Sequence, residues 1–134
     1  MNIQRHAPLV IHGDPLPAVL KTMGALTARI PALSGFSVDT ELVPNETPND
    51  FIRIDRIGET PIGNAGFTDV ELRIQIWADG AQLRSSLTHQ IAAHLRAELR
   101  TQLVSGPVDM PDPVDETRQL TQFTMSIITK GQIK

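Results

Sequence analysis

Phe51-Ile52-Arg53-Ile54-Asp55-Arg56-Ile57 and Asp69-Val70-Glu71-Leu72-Arg73-Ile74-Gln75-Ile76-Trp77-Ala78 are two runs in which aliphatic residues alternate with charged or polar ones. Successive side chains of a strand point to opposite faces, so each run reads as a strand with one buried and one polar face. Ile52 and Ile54 share a face in the first run, and Val70, Leu72, Ile74 and Ile76 share one in the second. Gly58 to Thr68 joins them as a long hairpin, in which Gly58, Gly63 and Gly66 permit mobility.

Two registers keep the isoleucines of this hairpin together. One sets Ile57 across from Asp69, and with it Arg53 against Arg73 and Asp55 against Glu71; like charges directly opposite are destabilising. Slipping by two residues instead pairs Asp55 with Arg73 and Phe51 with Trp77, contacts that stabilise by about 0.2–1 kcal/mol each. The second register is predicted.

Working outward, Asp14-Pro15 supplies an N-cap and a proline suited to the first helical position, and Leu16, Val19, Leu20, Met23, Leu26 and Ile30 follow at helical spacing. This helix is expected to end at Pro31. Phe36 to Leu42 alternates as a strand, and 44–50 is a loop rich in proline and asparagine. After the hairpin, Asp79 is the expected cap of a second helix carrying Leu83, Leu87, Ile91, Leu95, Leu99 and Leu103. A strict spacing of four drifts by about 40° per step on a helix, so one end of that stripe is expected to leave the sheet.

Val104 to Thr117 is rich in proline and acid and reads as an exposed loop, whereas Arg118 to Lys130 alternates again as a final, central strand. Leu9-Val10-Ile11 near the start suits an added edge strand or a segment lying on a partner. The expected fold is therefore α+β, in two layers. About four mainly antiparallel strands carry two helices on one face, in the order α-β-β-β-α-β. Residues 1–134 form a single domain, with 1–13 as an extension and 14–130 as the core.

Composition excludes several functions. The 134 residues include no cysteine, which removes thiol nucleophiles, redox pairs and cysteine zinc sites. No apolar run approaches the ~20 residues that span a bilayer, and the first residues lack the apolar segment of a secretory signal. A soluble protein made in a reducing cytoplasm, with no membrane partner, is expected. Net charge is −3, and the nine Arg and three Lys are dispersed, so no block reads as a nucleic-acid or membrane patch.

The chemical motifs are weak. His89 and His94 lie five apart on one helix and so on different faces, unlike zinc ligands at i and i+4. Ser85 and Ser86 sit inside a helix, where no strained turn or oxyanion hole serves a nucleophile. The glycines of the hairpin precede a strand and no Lys-Ser or Lys-Thr, so they do not cradle phosphate. Asp109, Asp112, Asp115 and Glu116 lack the spacing of a calcium loop, and a solvated acidic loop, or negative charge displayed towards a partner, accounts for them. Asn45-Glu46-Thr47 matches a glycosylation acceptor, but no signal segment accompanies it. No catalytic, cofactor-binding or metal-ligating residue is assigned.

The chain resembles the tail terminator (tail completion) proteins of long-tailed bacteriophages. The resemblance lies in Phe51 to Gly58, in Thr68 to Ala78, in the helix that follows and in the strand Leu120 to Thr129, and it covers the chain from about Asp14 to Lys130. It implies a structural virion protein, not an enzyme, assembled in the host cytoplasm as a ring, typically a hexamer. Such a ring caps the head-proximal end of the tail tube, stops its polymerisation and provides the head-docking interface.

The implied partners are further copies of the chain, the tail tube protein and a head completion or connector protein, with DNA passing through the lumen without specific binding. Edge strands, the long hairpin and the second helix would lie between neighbours. By the same analogy Arg53, Asp55, Arg56, Glu71, Arg73 and Trp77 are the subunit or tube interface residues, although the charged ones suit contacts within the sheet as well. Trp77 suits either an exposed anchor or packing under the second helix. Alternative readings are another head-tail connector or head completion protein, or a small ligand-binding α+β domain.

Overall fold

The computed structural model describes residues 11–41, 50–63 and 66–130. Along the chain run β1 (Ile11–His12), α1 (Leu16–Arg29), a 3-10 turn (Pro31–Leu33), β2 (Ser37–Asp39), β3 (Phe51–Ile62), β4 (Phe67–Trp77), α2 (Ala81–Leu99), β5 (Gln102–Pro111) and β6 (Gln119–Lys130). The strands form one sheet in the spatial order β2-β3-β4-β6, with β1 and β5 both on the far side of β6. β1 runs parallel to β6 and β2 parallel to β3, and the other pairings are antiparallel.

This corrects the expected architecture. In place of about four mainly antiparallel strands, the described residues hold six in a curled, mixed sheet, and only the broad α+β class stands. The largest error concerns Val104 to Thr117, which is not a loop throughout, because Gln102–Pro111 is a strand paired with β6. Nearly every side chain of β5 is exposed, so no buried face imprints an alternation on the sequence. Its prolines are tolerated because the strand lies at the edge of the sheet. Pro107 falls where the register against β6 shifts, between Ser105 and Val108, and Pro111 ends the strand.

The β3–β4 register is the one favoured by cross-strand charge. Asp55 lies across from Arg73, Phe51 across from Trp77, and Arg53 across from Gln75 rather than Arg73. Beyond it, the expected mobile hairpin is mostly ladder. A bulge between Arg56 and Gly58 re-registers the strands, and pairing continues to Ile62 and Phe67. Gly63 and Gly66, at φ of 58° and 81°, carry the turn; Asn64 and Ala65 lie outside the described residues.

α1 starts one residue later than expected, and Asp14 Oδ1 accepts the Leu16 N–H at 3.0 Å. α2 is preceded by Gly80 at φ 90°, not capped by the Asp79 side chain, and it stops at Leu99 because Arg100 turns left-handed at φ 56°. Leu103 consequently belongs to β5. The drifting stripe does leave the sheet at its start: Leu87, Ile91 and Leu95 are buried, while Leu83 is 39% exposed.

β2 is shorter than the strand expected over Phe36 to Leu42, and Leu42 lies outside the described residues. The same holds for Leu9 and Val10 and for Asn45 to Thr47; Ile11 does form an edge strand, against β6. β6 itself lies inside the sheet, between β4 and the pair β1 and β5.

A single core unites the layers. Val19, Met23 and Leu26 of α1 and Leu87, Ile91 and Leu95 of α2 meet Ile52, Ile54, Leu72, Ile74, Ile76, Phe123 and Met125 on one face of β3, β4 and β6. Each such side chain contributes about 1.5–3 kcal/mol by leaving water. The opposite face of the same strands carries Arg53, Asp55, Glu71 and Arg73.

Candidate functional site

Strand alternation turns Arg53 and Asp55 of β3, Glu71, Arg73, Gln75 and Trp77 of β4, and Gln122 of β6 away from the helices. Their side chains form a connected polar network across three strands. Arg73 donates to both oxygens of Asp55, from Nε to Oδ1 at 3.1 Å and from Nη2 to Oδ2 at 2.6 Å. Arg53 Nη2 lies 3.7 Å from Asp55 Oδ2, while its Nε donates to the Thr40 carbonyl at 3.1 Å and its Nη1 to Gln75 Oε1 at 3.3 Å. Gln75 Nε2 extends the chain of contacts to Gln122 Oε1 at 2.9 Å.

Asp55 thus has both oxygens engaged by fixed cationic donors. The bidentate contact ties β3 to β4. Glu71 shares the face, and its register partners are Gly58 and Ser126. Arg56 does not join the group. It lies across from Leu72, a core-facing residue, and its Nη1 is 3.5 Å from Asp14 Oδ1 at the start of α1.

Trp77 is fully buried, which removes the expectation that it is an exposed anchor, and it is not under α2. Its ring centroid lies 5.7 Å from that of Phe51, and its Nε1–H donates to Asp112 Oδ2 at 2.7 Å. Asp112 Oδ1 in turn accepts the Val114 N–H at 2.8 Å. The acidic segment is therefore not wholly solvated, since Asp112 is 1% exposed and ties the β5–β6 connection to the end of β4.

The sequence reading also missed Arg84. The residue is 6% exposed; its guanidinium Nε donates to Thr121 Oγ1 at 3.1 Å, its Nη1 to the Ala78 carbonyl at 3.0 Å, and its Nη2 lies 3.8 Å from Asp109 Oδ1. Thr121 also donates to the half-exposed Asp109, so the polar cluster at the entry to α2 runs from the buried Arg84 to the surface. A signal was present, because Arg84, Leu87, Ile91 and Leu95 follow the 3.6 period better than a stripe starting at Leu83.

Asp115 has a perturbed carboxyl. Hydrogen bonds from the Thr117 hydroxyl and from its backbone N–H hold it below its usual value of 3.8, and the Arg118 charge acts in the same direction against a small desolvation effect. Among the described residues, no group of three or more His, Asp or Glu side chains converges as a metal site would, and no helix is long and apolar enough to cross a membrane.

No protein-family model matches the chain, and no curated protein matches it significantly. Function is read from the residues themselves.

Proposed function

We propose that this chain is a structural component of a phage tail, a terminator whose copies form a ring on the head-proximal end of the tail tube, stop its growth and offer the docking face for the head. The observation that carries the reading is the ordered likeness of Phe51 to Gly58, Thr68 to Ala78, the following helix and Leu120 to Thr129 to the tail terminator proteins. The paired charges of Arg53, Asp55 and Arg73 are in keeping with a surface that supports assembly rather than chemistry. A net charge of −3 with dispersed arginines suits a conduit through which DNA passes without being held.

In this reading the partners are other copies of the chain, the tail tube protein and a head completion or connector protein. Arg53, Arg56, Glu71 and Arg73 remain the side chains assigned to subunit or tube contacts. Trp77, being buried, holds the Asp112 segment to the end of β4. The test is to add purified protein to polymerising tail tubes of its own phage and to follow tube length and ends by negative-stain microscopy. A ring at one end of each tube and arrested elongation are expected; unaltered tubes, with the protein monomeric at every concentration, would overturn the proposal.

A further inference from the structure

We infer that the groove between α2 and β5 is a binding site for a small aliphatic carboxylic acid, its carboxylate held by Arg96 and Thr101 and its alkyl chain by Ala92, Leu103 and Met125. Arg100, at φ 56°, reverses the chain after α2, so β5 runs back beside the helix. Arg84 near the start of α2 accordingly meets Asp109 near the end of β5. α2 buries Leu87, Ile91 and Leu95 against the inner strands and leaves the start of β5 partly bare. Leu103 lies across from the buried Met125, yet it is 53% exposed. The space left is a groove of about 410 Å³, walled by Ala92, Arg96, Thr101, Leu103 and Met125 among others. That is within the range of small-molecule sites, about 300–1,000 Å³.

Two polar side chains of this groove have no partner within the described residues. Thr101 is 1% exposed, and its Oγ1 is buried without a hydrogen bond. Buried hydroxyls are nearly always paired, so one left open calls for a partner from outside the chain. Arg96 makes no ion pair or side-chain hydrogen bond, while Glu98 in the same turn is taken by Arg29 at 3.8 Å.

The lining dictates the ligand. Arg96 is the only charged residue among the described ones that wall the groove, and a planar guanidinium matches the two oxygens of a carboxylate. The Thr101 hydroxyl donates to one of those oxygens. A phosphate group, with more charge and three acceptor oxygens, needs more donors than these. Ala92, Leu103 and Met125 present hydrocarbon. An alkyl chain loses nothing against them, whereas the amides of a peptide would go unpaired. The occupant is therefore a free acid rather than the carboxyl end of a protein chain.

The probe is octanoate, titrated into the 134-residue chain below its micelle concentration and followed by methyl and backbone NMR. Saturable shifts centred on Ala92, Thr101, Leu103 and Met125 are expected, with 1-octanol binding at least tenfold more weakly. Arg96→Met is expected to lower octanoate affinity at least tenfold. Thr101→Val should lower it at least threefold while leaving the melting temperature of the free chain unchanged or higher, because valine keeps the shape and has no hydroxyl to leave unpaired. A residue with a purely structural role would not separate the two readouts.

Shifts that do not saturate or that spread equally to the exposed Val114 and Ile128, or an affinity indifferent to both variants, would overturn the site. A short peptide with a C-terminal leucine that outcompetes octanoate would overturn the free acid as its occupant.

Discussion

Asp55 and Arg73 stand directly across from each other on β3 and β4, and the guanidinium grips both carboxylate oxygens, at 3.1 and 2.6 Å. A slip of two residues would put Arg53 in place of Asp55 and replace this attraction with repulsion. Arg73→Ala is expected to destabilise the fold by about 1–2 kcal/mol, because the pair is only partly screened by water. A double-mutant cycle with Asp55→Ala, read from urea midpoints, should give a coupling of about 1 kcal/mol. A coupling near zero would mean that the pair does not hold the register.

Trp77 is the sole tryptophan and is fully buried, so native emission should be blue-shifted and should move to the red on unfolding. Trp77→Phe keeps a ring beside Phe51 but deprives the buried Asp112 carboxylate of its indole donor. The expected cost is about 1.5–3 kcal/mol, measured by circular dichroism during chemical denaturation.

Two glycines should respond to alanine in opposite ways. Gly24 lies inside α1 with open space where a Cβ would go, so Gly24→Ala is expected to stabilise by about 0.5–1 kcal/mol. Gly106 has φ of 86°, and a Cβ there would lie 2.7 Å from the Gln122 carbonyl oxygen of β6. Gly106→Ala should cost about 2 kcal/mol or more in thermal or chemical unfolding.

The facing of α2 is tested by one pair of truncations. Leu87 is fully buried and Leu83 is 39% exposed. Leu87→Ala should cost about 2–5 kcal/mol, whereas Leu83→Ala should stay within about 0.5 kcal/mol of the parent protein. Equal costs would contradict the drift of the stripe away from the core.

Asp115 should titrate below 3.8 when its carboxyl carbon is followed by NMR. A carboxyl lowered in the folded state adds stability above its unfolded value and loses that stability as pH falls through the folded value. Thr117→Val removes the hydroxyl donor at 2.6 Å and should move the titration upward, towards the ordinary value.

Local pattern was enough for the parts of the molecule in which one face is buried. Ile52, Ile54 and the β4 aliphatics marked their strands, and the charges between them selected the register, because a two-residue slip changes every cross-strand pair at once. Val19, Met23 and Leu26 marked α1 for the same reason, through the 3.6 period.

Tertiary structure alone decided where that pattern is silent. β5 has no buried face to write an alternation, so only its pairing with β6 makes it a strand; with the short β1 it raised the sheet from about four strands to six. Trp77, Asp112 and Arg84 could not be placed from spacing, since each is buried by contacts with residues distant along the chain, 35 positions away for Trp77 and Asp112 and 37 for Arg84 and Thr121. The sequence by itself determined which strands and helices have an inner side. The fold decided what covers the other side, because that depends on which edges and loops arrive there, and no local period encodes it.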